Sequence, residues 1–362
     1  MTKYELAKNI LSQYDDQEWE DMENNTLDLP VNEHNRNVQL ELRDAINKYE
    51  ELGTLSPKER RRFSFGKPVV LTLFEGDIED EKVIELKSSL EEYLDEVWAE
   101  AKPAHKYIVN VSLVLTFILE RPMHPESSVH FLTRVEDGKN IYYCPHKENS
   151  LICSYCKCRF ADELYKKWDE KEKETKEAFG DLSSKLQHIL FEAGFQECGV
   201  IKTSELDFHD EVRTQCEKNS CRQYGRTWAC PPAVGTVAEC KERVLKYSHM
   251  MLFSKAYVLA DTMDLEEMAR TMSDFKKQDR KLDDKLKDLL KTFQILSNES
   301  CDRCKKCSYP DEPCRFPETL HHSIEGYGFN VLELSRKAAM KYINGQSTAT
   351  FFGAVLYNED NR

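Results

Sequence analysis

The chain is short of almost every signature by which enzyme classes are read from sequence. Its 362 residues contain no P-loop, no glycine-rich dinucleotide fingerprint, no His-Glu-x-x-His and no Gly-x-Ser-x-Gly, which argues against the hydrolase and nucleotide chemistries those patterns serve. Long apolar runs are missing too. The longest, residues 107–119, is broken by Asn110, Ser112 and Thr116 and is too short to span a bilayer, so no membrane partner is expected. The opening residues, Met-Thr-Lys-Tyr-Glu-Leu-Ala, have no apolar stretch of the export type, and a cytoplasmic, reducing location is the expectation. Basic charge is scarce: 51 Lys and Arg stand against 65 Asp and Glu, a formal charge of -14. Nucleic acid is therefore not an expected partner, since phosphate binding needs a basic surface. The one basic run, Lys58 with Arg60, Arg61 and Arg62, reads as solvated surface. No internal repeat is present.

Cysteine, by contrast, is abundant, with thirteen residues. In a reducing compartment such a number points to metal ligation before disulfides. The most specific pattern is Cys301-x-x-Cys304-x-x-Cys307 followed by Cys314. Three thiols at two-residue gaps can reach three corners of an iron-sulfur cubane from one tight loop, and a fourth nearby closes the site. Zinc also takes four thiolates but usually from separated pairs, so the run of three favours iron-sulfur while zinc stays open.

A second group, Cys216, Cys221, Cys230 and Cys240, is more loosely spaced. Pro231 and Pro232 stiffen the chain after Cys230, while Gly225 and Gly235 permit tight turns. Trp228 is a candidate shield or stacking surface for a cofactor, against the plainer role of a core tryptophan. Arg226 and Arg315 are candidates for offsetting thiolate charge, against ordinary surface ion pairing. A third group lies upstream: Cys153-x-x-Cys156 is a zinc half-site, and Cys144 with Cys158, His124 or His146 would complete it. A structural zinc is preferred there, with a small cluster as the alternative.

The length suggests two domains. Residues 1–164 read as mainly helical: Val83, Ile84, Leu86, Leu90, Tyr93, Leu94, Val97 and Trp98 recur at helical period, and 107–119 is read as a buried helix. Residues 165–182 form a charged helical linker. Residues 183–362 alternate. A helix around 186–193 is capped by Gly194, strands follow at 199–201, 249–259 and 349–357, and a long amphipathic helix is expected from 265 to about 296. A further helix opens at Asn330 and closes at Asn344-Gly345. The predicted class is α/β or α+β, with a small C-terminal sheet carrying cysteine-rich loops.

The run 186–357, with Cys216, Cys221, Tyr224-Gly225, Trp228, Cys230-Pro-Pro, Gly235 and Cys240, then Cys301, Cys304, Cys307, Tyr309-Pro310, Pro313-Cys314-Arg315-Phe316-Pro317, Gly345 and Phe352-Gly353, resembles the prokaryotic family called domain of unknown function 2284. That resemblance implies a metal centre on these cysteines and no established reaction. The stretch Glu120-Arg-Pro-Met-His124-Pro125, with Tyr142-Tyr143-Cys144-Pro145 and Cys153-x-x-Cys156, is similar to domain of unknown function 2115, a family of methane-producing archaea. Cys158 lies outside that pattern.

Two functions are compatible with these residues. One is a metal-binding protein with a [4Fe-4S]-type cluster, an electron-transfer or redox-accessory role in anaerobic metabolism and a redox partner. The other is a zinc-stabilised structural, adaptor or assembly protein without catalytic activity, which engages a protein partner.

Overall fold

The structure is a computed structural model that describes residues 1–55, 69–146, 150–260, 264–298 and 300–360. The basic run at 58–62 lies outside the described residues. The chain folds as two compact units: residues 1–132 with 142–161, and residues 133–141 with 162–362. Among the described residues no helix is long and apolar enough to cross a membrane.

The first unit is built from helices. Lys3–Leu11 and Asp16–Asn24 each open on a reciprocal capping box, Thr2 with Glu5 and Asp15 with Glu18. Glu33–Thr54, Asp80–Val97 and Lys102–Leu113 pack around Leu42, Leu86, Val114 and their neighbours. Residues 107–119 are indeed helical, ending in a π-helical turn at Val114–Ile118. Helix Asp80–Val97 buries Val83, Leu86, Leu90 and Leu94 but leaves Ile84, Tyr93 and Val97 exposed, a narrower stripe than the sequence period suggested. Two polar side chains reaching into this core are paired: Asn110 donates to the Tyr14 hydroxyl (2.8 Å) and Tyr107 donates to Glu18 (2.6 Å). After β1 (Leu132–Glu136) comes β2 (Lys139–Cys144), whose end runs parallel to β3 (Cys158–Phe160) within this unit, with Tyr142 opposite Cys158 and Cys144 opposite Phe160.

The second unit is organised by a five-stranded sheet in the order β4 (Glu197–Lys202), β5 (His249–Val258), β8 (Thr348–Tyr357), β6 (Phe293–Ser297), β7 (His322–Ser323). All neighbours are antiparallel except β6 and β7. A mostly antiparallel sheet flanked by helices makes the class α+β. Both sheet faces are covered, which is why β5 reads as an unbroken apolar run. Met250 and Leu252 join a core with Val244, Leu334 and Ala338, from helices Val237–Val244 and Val331–Lys337 and the residue that follows. On the opposite face Phe253 meets Phe195 (4.4 Å between ring centroids) and stacks on Phe275 of helix Leu265–Arg280.

Gly194 takes a positive φ of 89° and ends helix Asp181–Glu192 as expected, with the Phe195 amide returning to Leu190 (3.1 Å). Three elements differ from the sequence expectation. The long helix predicted to reach residue 296 stops at Arg280. A short helix Leu282–Lys287 follows, and 293–297 becomes β6, because Ile295 and Leu296 gain a partner strand in β8. The helix opened by Asn330 ends at Lys337 and not near Asn344. Ala339 turns left-handed at φ 53° and the Met340 amide closes onto Ser335 (2.8 Å). The charged segment 165–182 is helical within Ala161–Phe179 but is no exposed linker. Ala161, Leu164, Trp168 and Thr175 form a buried stripe, Trp168 stacks on Phe191 (5.3 Å), and the Arg134 guanidinium lies over its ring (5.2 Å).

Gly353 on β8 faces Phe253 on β5, and a Cβ at this glycine would overlap the Phe253 ring. Gly353→Ala is therefore expected to destabilise the second unit by about 1–3 kcal/mol. Phe253→Leu in the same chain should recover part of that loss. A urea midpoint unchanged by the single substitution would contradict the packing.

Candidate metal centre

The loop between β6 and β7 carries Cys301, Cys304, Cys307 and Cys314, and all four line one pocket with Trp228, Arg303, Arg315 and Phe316. The loop is held from several sides. Lys276 donates to the Ser300 carbonyl (2.6 Å), Arg280 pairs with Asp302, Ser308 donates to the Pro313 carbonyl (2.8 Å) and Arg315 donates to the Lys306 carbonyl (3.0 Å). Trp228 closes one wall, its indole N–H donating to the Glu312 carbonyl (3.1 Å) and its ring meeting Tyr309 edge-on. The Phe316 amide donates to the Cys314 sulfur (3.4 Å). Burial pushes the Cys301 thiol up, with the Arg303 amide opposing. On a neighbouring surface Cys301, Cys304 and Cys307 share a second pocket with Arg226, Lys305 and Lys306, a basic island on an acidic chain. The structure thus gathers the four thiols of the strongest motif and sets Trp228, Arg226 and Arg315 beside them.

Arg303 escaped the sequence reading, although its position inside Cys-x-x-Cys was the available signal. Its guanidinium lies over Phe316 (5.5 Å) and approaches Asp283 (3.6 Å). Asp283 in turn contacts His321 Nε2 (3.1 Å), while His321 Nδ1 contacts Asp279 (3.3 Å). This buried imidazole, clasped by two carboxylates, stands next to the loop that bears Cys301.

Cys216, Cys221 and Cys230 line a different pocket of about 540 Å³. Cys216 ends helix Asp210–Glu217, and Cys221 sits between the left-handed residues Asn219 and Arg222. Cys230 is buried where the Gly225 amide bonds the Pro231 carbonyl (2.9 Å) and the Ser323 amide bonds the Ala229 carbonyl (2.9 Å). Burial raises the Cys230 thiol to about 12. Cys240 does not join them. Helix Val237–Val244 turns it into the core, where its sulfur approaches the Val234 carbonyl (3.5 Å) and accepts from Arg243 (3.1 Å).

In the first unit Cys144 ends β2, Cys158 begins β3, and Cys153 and Cys156 sit in and just after helix Leu151–Tyr155. The Cys156 thiol is pushed down to about 4, first by its contact with Cys158, with burial opposing and His124 and the Met123 amide assisting. Cys158 moves up as its partner, and also feels Cys144 and Cys153. His124 therefore reaches the group. His146 is exposed, and its amide touches the Cys144 sulfur (3.4 Å). Among the described residues, no three Cys, His, Asp or Glu side chains close on a common point as the ligands of one ion would.

Residues 199–357 match the family model described as predicted metal-binding protein, domain of unknown function 2284. Residues 4–161 match the one described as uncharacterized protein conserved in archaea, domain of unknown function 2115. The chain is similar to these families in its two halves, and the first match supports metal binding in general. No curated protein and no solved structure matches the chain.

The clasp on His321 gives a pH test. Burial works to lower its pKa, but Asp279 and Asp283 outweigh it and raise the group from 6.5 to about 9. A raised folded pKa stabilises fully below the ordinary value, and the gain is lost as pH rises through the folded one. The second unit should lose about 3 kcal/mol or less between pH 6.5 and 9. Asp283→Asn should flatten that slope in unfolding titrations, and an unchanged slope would mean the clasp carries no charge.

Proposed function

We propose that the second unit is a redox accessory module that holds an iron-sulfur cluster of the [4Fe-4S] type on Cys301, Cys304, Cys307 and Cys314. The observation that carries this is the single pocket lined by all four thiols. Their residue spacing suits a cubane. Such a cluster supplies one-electron transfer. The chain's own residues do the rest: Trp228 and Phe316 exclude water, and Arg303 and Arg315 place positive charge on the pocket wall. The basic island of Arg226, Lys305 and Lys306 gives a redox partner with an acidic surface a place to dock. Anaerobic metabolism is the setting in which such a half-exposed cluster would persist.

For the first unit we infer a structural zinc drawn from Cys144, Cys153, Cys156 and Cys158, with His124 as the competing fourth ligand. The lowered Cys156 thiol supports this, because zinc binds thiolate and not thiol. If every metal proves to be zinc, the protein is better described as a structural, adaptor or assembly factor.

Cys304→Ser is expected to lower the iron and acid-labile sulfide of protein purified without oxygen, by the content of this one cluster, while the first unit's metal stays. The visible band of the parent protein should bleach with dithionite. Zinc alone, with no sulfide and no visible band, would overturn the redox assignment.

A further inference from the structure

The pocket lined by Cys216, Cys221 and Cys230 holds three thiols and not four. The fourth cysteine of that sequence group is unsuited to complete it. Cys240 is fully buried in the core, faces the Val234 carbonyl and is occupied by Arg243. The other described cysteine of this unit outside the β6–β7 loop, Cys198, is buried on β4. Three thiolates on a cubane leave one iron without a protein sulfur.

What faces the three thiols is a cavity of about 540 Å³, within the range of small-molecule sites. Its walls are of two kinds. Tyr224, Phe329, Leu332 and Tyr342 offer flat and apolar surface, while Asn330 and Glu325 supply polar ends. Glu325 accepts from the Ser323 hydroxyl (2.9 Å), which fixes its carboxylate. Leu332 and Tyr342 are also partly exposed, so they stand at the mouth. Gln223 lines both this pocket and the one shared by Cys301, Cys304 and Cys307, and Ser300, the chain neighbour of Cys301, lines this pocket as well, so the two thiol groups lie near each other.

We propose that Cys216, Cys221 and Cys230 hold a second iron-sulfur cluster whose open iron faces this cavity and binds a small organic molecule with a planar or apolar body and an oxygen or nitrogen donor atom. This site shares the cluster chemistry proposed for Cys301, Cys304, Cys307 and Cys314, but rests on different thiols, and each can fail alone.

The test uses the full chain reconstituted without oxygen, with iron and sulfide counted and imidazole as the donor probe. Cys221→Ser and Cys304→Ser should each lose about half the iron, and Cys240→Ala none. In dithionite-reduced Cys304→Ser, imidazole should shift the paramagnetic resonance signal of the remaining cluster. Leu332→Trp, which fills the mouth, should keep its iron and lose that shift. Three results would overturn the proposal: iron content indifferent to Cys221→Ser, iron lost on Cys240→Ala in protein whose circular dichroism is unchanged, or a Cys304→Ser cluster blind to imidazole. Iron retained in full by Cys304→Ser but lost from Cys221→Ser would instead sink only the redox assignment of the first site.

Discussion

The antiparallel pairing of β5 with β8, from His249 opposite Tyr357 to Val258 opposite Thr348, is the constraint on which the second unit depends. It fixes which side chains go to which face: Met250 and Leu252 to one core, Met251 and Phe253 away from it. A slip of one residue would exchange the two sets and drive Phe253 against a face that has no place for it. The same ladder sets β6, which pairs with β8, and β6 launches the loop that carries Cys301 to Cys314. The Ser323 amide then ties the far end of that loop, at β7, to Ala229 beside Cys230. Both thiol groups of this unit therefore hang from one strand register.

Gathering thiols has an electrostatic cost that burial increases. The Cys301, Cys216 and Cys230 thiols are all raised, chiefly because burial disfavours their charged form. Left to themselves they stay protonated. A cation bound as proposed would reverse that balance and couple metal uptake to proton release. The first unit solves the problem differently, since Cys158, His124 and the Met123 amide already favour the Cys156 thiolate.

The sequence made the cysteine groups easier to read than the topology. Cys301, Cys304 and Cys307 announce themselves because their spacing is local, and a short loop obeys local spacing. The place of Cys240 could not be read from spacing, because it depends on the face that helix Val237–Val244 presents to a distant core. Arg303 was visible but had no stated partner until Asp283 and His321 came beside it through the fold. Strands β4, β5 and β8 were legible as apolar runs and α+β was within the expected classes. The break of the helix at Arg280 was not, since Phe293 and Ile295 suit a strand only once β8 is alongside.

The pair Arg134 and Trp168 ties two stretches of chain that sequence similarity would assign elsewhere. Residues 133–141 fall within the part that matches the archaeal family, yet they fold with the second unit, where Arg134 donates to the Phe195 carbonyl and covers Trp168. Cutting the chain between the two family matches would strand that hairpin on the wrong fragment and strip the covering from Phe191. A gene that separated the two matched stretches would have had to grow a replacement for the hairpin.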